Sequence, residues 1–219
     1  SDRTWVRSAN AKRRDLNLEV AGAIRLLPDG SGMVVPSYDG LDLLPMNPDG
    51  KGTSPQSLPG SRELKSFCSG SGRAVLLRNW PDYRRSIELV IPGQPPREVW
   101  LGEAGVMATA CDNRGENIWI VLRDAEPTLQ DELLLVNSSG SVLKRRTIPG
   151  WFLASGAVLD VDPATNRLLT VMTNDDGERR RVALIDGSSL DFELLNPQVV
   201  LARWLPAAGE LDEFHPVRR

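Results

Sequence analysis

Histidine is nearly absent: His215, fifth from the C-terminus, is the only one in 219 residues. A Ser-His-Asp triad or a histidine-built metal centre would need that residue type at the heart of the fold, so neither is expected. Cysteine is almost as scarce. Cys68 and Cys111 are too few for a disulfide framework or a cysteine-based zinc site. No apolar run approaches the roughly 20 residues of a membrane helix, so no membrane span is expected. Neither sign of charge dominates: 26 basic against 29 acidic side chains give a net −3. Such a chain has no overall field to draw in nucleic acid or an anionic membrane. No cofactor motif is present either, and neither a metal nor a cofactor is expected. The first residue is Ser1 rather than Met, which reads as a processed or excised form.

What the chain does have is a recurring turn. "LPDGSGMVV" places Pro, Asp and Gly between two short apolar runs, and related turns return as "CSGSGRAVLL", "CDNRGENIWI", "VDPATNRLLTV" and "LPAAGELDEF". The residues opening them are Leu27, Cys68, Cys111, Val161 and Leu205, separated by 41, 43, 50 and 44 positions. A period in the forties with several strands per unit is the signature of a propeller blade. The second unit runs "RAVLLR", "NWPDYRR", "SIELVI", "PGQPP", "REVWLG". The third and fourth have the same rhythm of short apolar runs and polar turns. None carries a 3.6-residue stripe long enough for a helix.

The ends complete the pattern. "VVLARWLPAAGELDEF" supplies only two strands of a fifth unit, while "TWVRS" and "LNLEV" supply two before the first. From Leu205 through the terminus and round to Leu27 is 41 positions, one more period. The sequence therefore predicts an all-β, five-bladed propeller of four-stranded antiparallel blades. Its ring is closed by N-terminal strands completing the C-terminal blade, which removes free sheet edges. The whole of 1–219 is one domain, with blades at about 21–60, 61–102, 103–150 and 151–196, and a last one from 197–219 completed by 3–20. The competing reading is a fragment of a larger propeller.

"LPDGSGMVV" resembles the Pro-Asp-Gly turn of TolB-type and related WD40-like propeller repeats. The match is good in one unit and loose in the others, and no WD dipeptide or Gly-His signature accompanies it. Such turns serve proteins of unrelated roles, so the resemblance implies fold rather than function. Five blades are also found in tachylectin-like lectins and in the arabinanase/fructosidase glycosidases. The units here diverge too far for the near-identical sugar sites of the lectins.

A glycosidase needs two carboxylates about 5–10 Å apart. The inner strands offer Glu63 and Asp160, with Glu103 at the mouth of the third blade. Their neighbours Arg25, Lys65 and Arg203 are basic and would lower rather than raise a carboxylate pKa. No catalytic residue is assigned. The clusters Lys12–Arg14, Arg84–Arg85, Lys144–Arg146 and Arg179–Arg181 are interleaved with Asp15, Asp82, Glu88, Asp175, Asp176 and Glu178. They read as a salt-bridged surface rather than a nucleic-acid site. "TNDDGE" lacks EF-hand spacing and reads as a turn.

Aromatics point to the candidate site. Chain order in a propeller sends the fourth-to-first and second-to-third strand connections to one face. That face carries Tyr38, Trp80, Tyr83, Trp151 and Phe152, with Arg62 and Asp82 beside them. Tyr and Trp join an apolar ring to a polar handle, which suits a half-wet contact surface. Trp100, Trp119 and Trp204 fall within strands and are expected in the core. The leading expectation is a non-catalytic, exported module (periplasmic or cell-surface) that docks a protein or peptide on this face, alone or within a larger complex. The alternative is a carbohydrate-active propeller, lectin or hydrolase, using the same rings. Cys68 and Cys111 are expected to be buried, unpaired thiols, because equivalent inner-strand positions of neighbouring blades usually lie beyond the roughly 7 Å Cα spacing of a disulfide.

Overall fold

The computed structural model describes residues 5–7, 13–15, 21–46, 54–124, 130–174, 179–195, 202 and 204. Two short strands, β1 (Trp5–Arg7) and β2 (Arg13–Asp15), pair antiparallel with each other. Of the two expected N-terminal strands, the first lies at "TWVRS". Its partner is Arg13–Asp15, and the second expected strand, "LNLEV" (Leu16–Val20), lies outside the described residues.

Four larger antiparallel sheets follow among the described residues. The first holds β3 (Arg25–Leu26), β4 (Gly32–Ser37), β5 (Gly40–Pro45) and β6 (Gln56–Pro59). The second holds β7 (Arg62–Cys68), β8 (Arg73–Asn79), β9 (Arg85–Val90) and β10 (Arg97–Gly102). The third holds β11 (Gly105–Cys111), β12 (Asn117–Arg123), β13 (Asp131–Asn137) and β14 (Val142–Ile148). In the fourth, β15 (Trp151–Leu153) and β16 (Asp160–Val161) share one edge of β17 (Arg167–Asn174). Beyond it come β18 (Arg180–Asp186) and β19 (Phe192–Leu195). Each sheet is ordered as its strands occur in the chain, and no helix occurs among the described residues. Most of the fifth unit, residues 197–219, lies outside the described residues, and so does most of "TNDDGE".

The apolar runs are continuous in the second and third sheets because these are covered on both faces. In β8, Ala74 and Leu76 join Val34, Leu41 and Leu43 of the first sheet, whereas Val75 and Leu77 join Ile118, Ile120 and Leu122 of the third. In β12 the even positions face back toward the second sheet, and Trp119 and Val121 pack with Leu168, Met172 and Ala183 of the fourth. Side chains alternate across a strand, so one four-residue apolar run serves two cores. The last strand of a sheet lacks this cover, and β14 is exposed from Val142 to Arg145. Trp119 is in the core as expected, its Nε1 donating to Gly187 O at 2.8 Å. Trp100 and Trp204 are half-buried instead, and Trp204 is not in a described strand.

The first strands converge. β7 touches β11, and β11 touches β16. Ser66 and Thr109 share a hydrogen bond of 2.7 Å, and two residues further on Cys68 and Cys111 form a disulfide with a Cα–Cα distance of 4.9 Å. The expectation of free thiols is thereby overturned. Both sulfurs are buried as expected, but inner strands drawn together at the narrow edge of two wedge-packed sheets approach within bridging range. The turns after these cysteines also interlock: Gly70 N donates to Asn113 O (3.1 Å) and Arg73 to Gly115 O (3.2 Å). A Cβ on Gly72 would strike Asp29 Oδ2 of the preceding turn at 2.6 Å. The repeated small and turn-forming residues therefore knit the first three sheets together at that end.

Candidate functional site at the opposite ends of the sheets

The sheet ends away from the disulfide carry the expected site residues. Tyr38 occupies the two-residue connection from β4 to β5, and Trp80, Asp82 and Tyr83 lie between β8 and β9. Arg62 opens β7, while Trp151 and Phe152 open β15.

The β8–β9 connection is built by its sequence. Tyr83 N donates to Trp80 O (3.2 Å), closing a turn in which Pro81 takes the position that favours a preset φ. Asp82 then accepts from Arg84 N (3.3 Å) and Arg84 Nε (2.7 Å). Trp80 N reaches Arg84 O at 2.9 Å. Between them Tyr83 sits at φ 67°, in the left-handed region that hairpins of this kind usually give to glycine. Its side chain has no packing to hold it there: Tyr83 is 86% exposed, and Tyr38 is 80% exposed.

The other expected residues are less open. Trp80 is half-buried, with its Nε1 donating to Ser86 Oγ at 3.1 Å and the Arg78 guanidinium 3.5 Å from its ring centre. Trp151 and Phe152 are half-buried under Arg181 (5.8 Å) and Arg123 (5.3 Å). Arg62 is not a surface residue. Its Nε lies 2.7 Å from Glu88 Oε2, both side chains are only 5% exposed, and a further N–H bonds Pro59 O in the first sheet. The structure thus joins Arg62 and Trp80 through one cluster with Arg78, Ser86 and Glu88. Among the described contacts it joins neither to Trp151 or Phe152.

Those two rings belong to a second junction. Arg123 holds Asp131 with two bonds, at 2.6 and 3.0 Å, and also bonds Leu153 O (3.1 Å), while Leu153 N donates to Asp131. Asp131 is fully buried and pins β15 to β13. The sequence reading passed over Arg78, Arg123 and Asp131, and it placed Glu88 on a salt-bridged surface, whereas Glu88 is buried. The available signal was an acid inside or at the edge of an apolar strand, as in "SIELVI" and "DELLLVN", which needs a partner when buried.

Where the inner strands converge there is a cavity of about 380 Å³ lined by Glu63, Lys65, Ser66, Thr109 and Asp160, among others. Glu63 pairs with Lys65 at 3.0 Å, and Asp160 accepts Trp204 N at 2.8 Å. Glu103 is exposed at the start of the third sheet, where its carbonyl accepts from Arg85 (2.7 Å). Arg203 lies outside the described residues.

No protein-family model matches this chain. No curated protein matches it either. Solved structures do. Prolyl oligopeptidase B from Galerina marginata, bound to a 35-residue hydrolysis and macrocyclization substrate, superposes with a TM-score of 0.56 at 13% identity. The match covers 80% of this chain and 26% of that one. A structure from a study of two prolyl endopeptidases gives 0.55 at 15% identity, covering 78% and 25%. TolB from Acinetobacter baumannii gives 0.47 at 14%, covering 87% and 47%. The fold is a β-propeller. The chain spans about a quarter of the length of the prolyl oligopeptidases it matches, and at such identities the likeness concerns the fold alone.

Proposed function

We propose that this propeller is a non-catalytic interaction module that docks a protein or peptide on the sheet ends carrying Tyr38 and Tyr83. One observation carries the reading: Tyr83 is a bulky residue held at positive φ with its side chain in solvent. A non-glycine residue there costs about 1–3 kcal/mol, and burial returns nothing against that strain. Such strain is characteristic of a position retained for contact. Tyr38, equally open on the neighbouring sheet, gives the surface a second ring. Both carboxylates of the central cavity are engaged, Glu63 by Lys65 and Asp160 by Trp204 N, which favours docking over hydrolysis.

The test is a capture experiment from the source organism with immobilised wild-type chain, followed by calorimetry on the purified partner. Truncating a central interface aromatic typically costs about 2 kcal/mol or more, so Tyr38→Ala/Tyr83→Ala should weaken binding roughly thirtyfold or more while the protein stays folded. Unchanged affinity in the folded double variant would overturn the reading.

The ring, in this proposal, closes at five blades. The β1–β2 hairpin, the 41-position interval across the termini and Trp204 docked on Asp160 of the fourth sheet support that count. Deleting residues 1–20 should then lower the melting temperature in one cooperative step; an unchanged melting temperature excludes this closure. Export is part of the same proposal, since a buried disulfide forms and persists in oxidising compartments.

A further inference from the structure

We infer that the cleft beside Trp80 seats a carboxylate of an acidic partner peptide, with Arg78 as its anchor. The inference rests on the docking proposal and names the chemistry of what docks.

The charge count at the junction of the first two sheets does not balance. Arg62 and Arg78 lie directly opposite each other on β7 and β8, an arrangement of like charges that is unfavourable without a counter-ion. Glu88 is that counter-ion, but its two oxygens are taken by Arg62 at 2.7 and 3.2 Å. Arg78 keeps only a 3.5 Å approach to Glu88 Oε1. Two guanidiniums against one carboxylate leave one positive charge. The adjacent Asp82–Arg84 pair is neutral and Arg85 is spent on a carbonyl, so neither removes it.

Arg78 also keeps donor hydrogens that no described residue accepts. Among the described residues its guanidinium makes no hydrogen bond, and its side chain remains 29% exposed. What holds it is the Trp80 ring, 3.5 Å from centre to guanidinium. Stacking fixes the plane of the fork and leaves its edge donors available, which is the geometry that a carboxylate accepts in two parallel bonds. Trp80 is itself fixed by Ser86, so the seat is formed before a ligand arrives.

The space is there. Arg78 and Trp80 line a cleft of about 370 Å³ with Gly60, Ser61, Asn79 and Pro81. The Ser61 hydroxyl and the Asn79 amide add donors, and exposed Tyr83 belongs to the same connection as Trp80 and Pro81. The Arg123–Asp131 junction supplies a contrast. There one arginine meets one carboxylate with two bonds and a carbonyl with a third, and no charge is left over. A polyanion fits the Trp80 cleft less well, because nucleic acid needs several phosphate contacts and the chain as a whole is net negative.

The probe is a fluorescein-labelled decapeptide of alternating glutamate and glycine, titrated by fluorescence polarisation against the full chain. Its glutamine counterpart and a labelled oligothymidylate are run in parallel. The glutamate peptide should bind at least tenfold more tightly than either control, and rising salt should weaken it. Arg78→Gln should lower its affinity at least tenfold, whereas Arg145→Gln, which removes the same charge from β14, should leave it unchanged. If Arg78→Gln does not fold, the wild-type Trp80 indole N–H resonance, assigned with Trp80→Phe, must shift on addition of the peptide. An undisturbed resonance, equal binding of the glutamine peptide, tighter binding of the oligonucleotide or a folded Arg78→Gln of unchanged affinity would each overturn the inference. The docking proposal fails separately, on the tyrosine variant and the captured partner.

Discussion

Ser66 Oγ lies 2.7 Å from Thr109 Oγ1, and two residues further along the same strands Cys68 is bonded to Cys111. The two contacts repeat at the strand period, so the inner strands of adjacent sheets run side by side rather than diverging. The bridge closes a sequence separation of 43 residues. In the chain-entropy account a loop of that length stabilises the fold by about 4 kcal/mol. Cys68→Ser/Cys111→Ser should lose up to that amount in urea unfolding. Wild-type protein in concentrated denaturant should show no reactive thiol until reduced, and two titrating thiols before reduction would rule the bridge out.

Asp131 holds the third and fourth sheets through Arg123 and Leu153 N. Its side chain is fully buried, so removing it leaves a partly buried guanidinium and a backbone N–H without their acceptor. Breaking such a pair from one side costs about 3–5 kcal/mol. Asp131→Ala should lower stability by roughly 3 kcal/mol in chemical denaturation. A loss below about 1 kcal/mol, the scale of an exposed pair, would show that the junction does not depend on it.

Tyr83 gives a prediction of unusual sign. Replacing this exposed residue with glycine relieves the φ of 67° and removes no buried contact. Relief of the left-handed strain outweighs the added freedom of the unfolded chain, so Tyr83→Gly should raise stability by about 0.5–1 kcal/mol. The same change should weaken the captured partner. A variant both less stable and equally tight in binding would remove the argument from strain.

Three turn aspartates contribute to the response to acid, alongside Asp82 and Asp191, which are lowered too. The Ser31 hydroxyl, then its backbone N–H, holds the Asp29 carboxyl below the usual range. Asp162 is lowered by the Thr165 hydroxyl and then by Ala164 N–H, and Asp186 by Ser189 N–H and then Ser188 N–H. A carboxyl whose folded pKa is depressed contributes stability that is present above its unfolded value of about 3.9 and is lost as pH falls through the folded value. Stability should therefore decline below about pH 4. Combining Asp29→Asn, Asp162→Asn and Asp186→Asn should flatten that decline in urea midpoints measured across the acid range. An unchanged slope would assign acid sensitivity to other groups.

The turns were legible because their chemistry is local. Leu27, Cys68, Cys111 and Val161 mark recurring turns whether or not the sheets have assembled, and Pro81 sets its own φ. The strands were legible from apolar runs of four to seven residues bounded by those turns, and the propeller followed from their period. Along the second connection of each unit, placing Tyr38 and Tyr83 at one end of the sheets required only chain order. What remained closed to the sequence depended on distances between units. Cys68 and Cys111 bridge because the inner strands of two sheets converge, a spacing no single blade encodes. Arg62 reads as a surface charge beside aromatics, yet it is buried because Glu88, 26 residues later, is brought opposite it by the β7–β8–β9 pairing. Whether Trp80 lies open or packed was likewise settled by Ser86, which reaches it only once β8 and β9 are in register. Local residues fix torsions and turns, but charge pairing, bridging and exposure are properties of surfaces that meet only in the assembled fold.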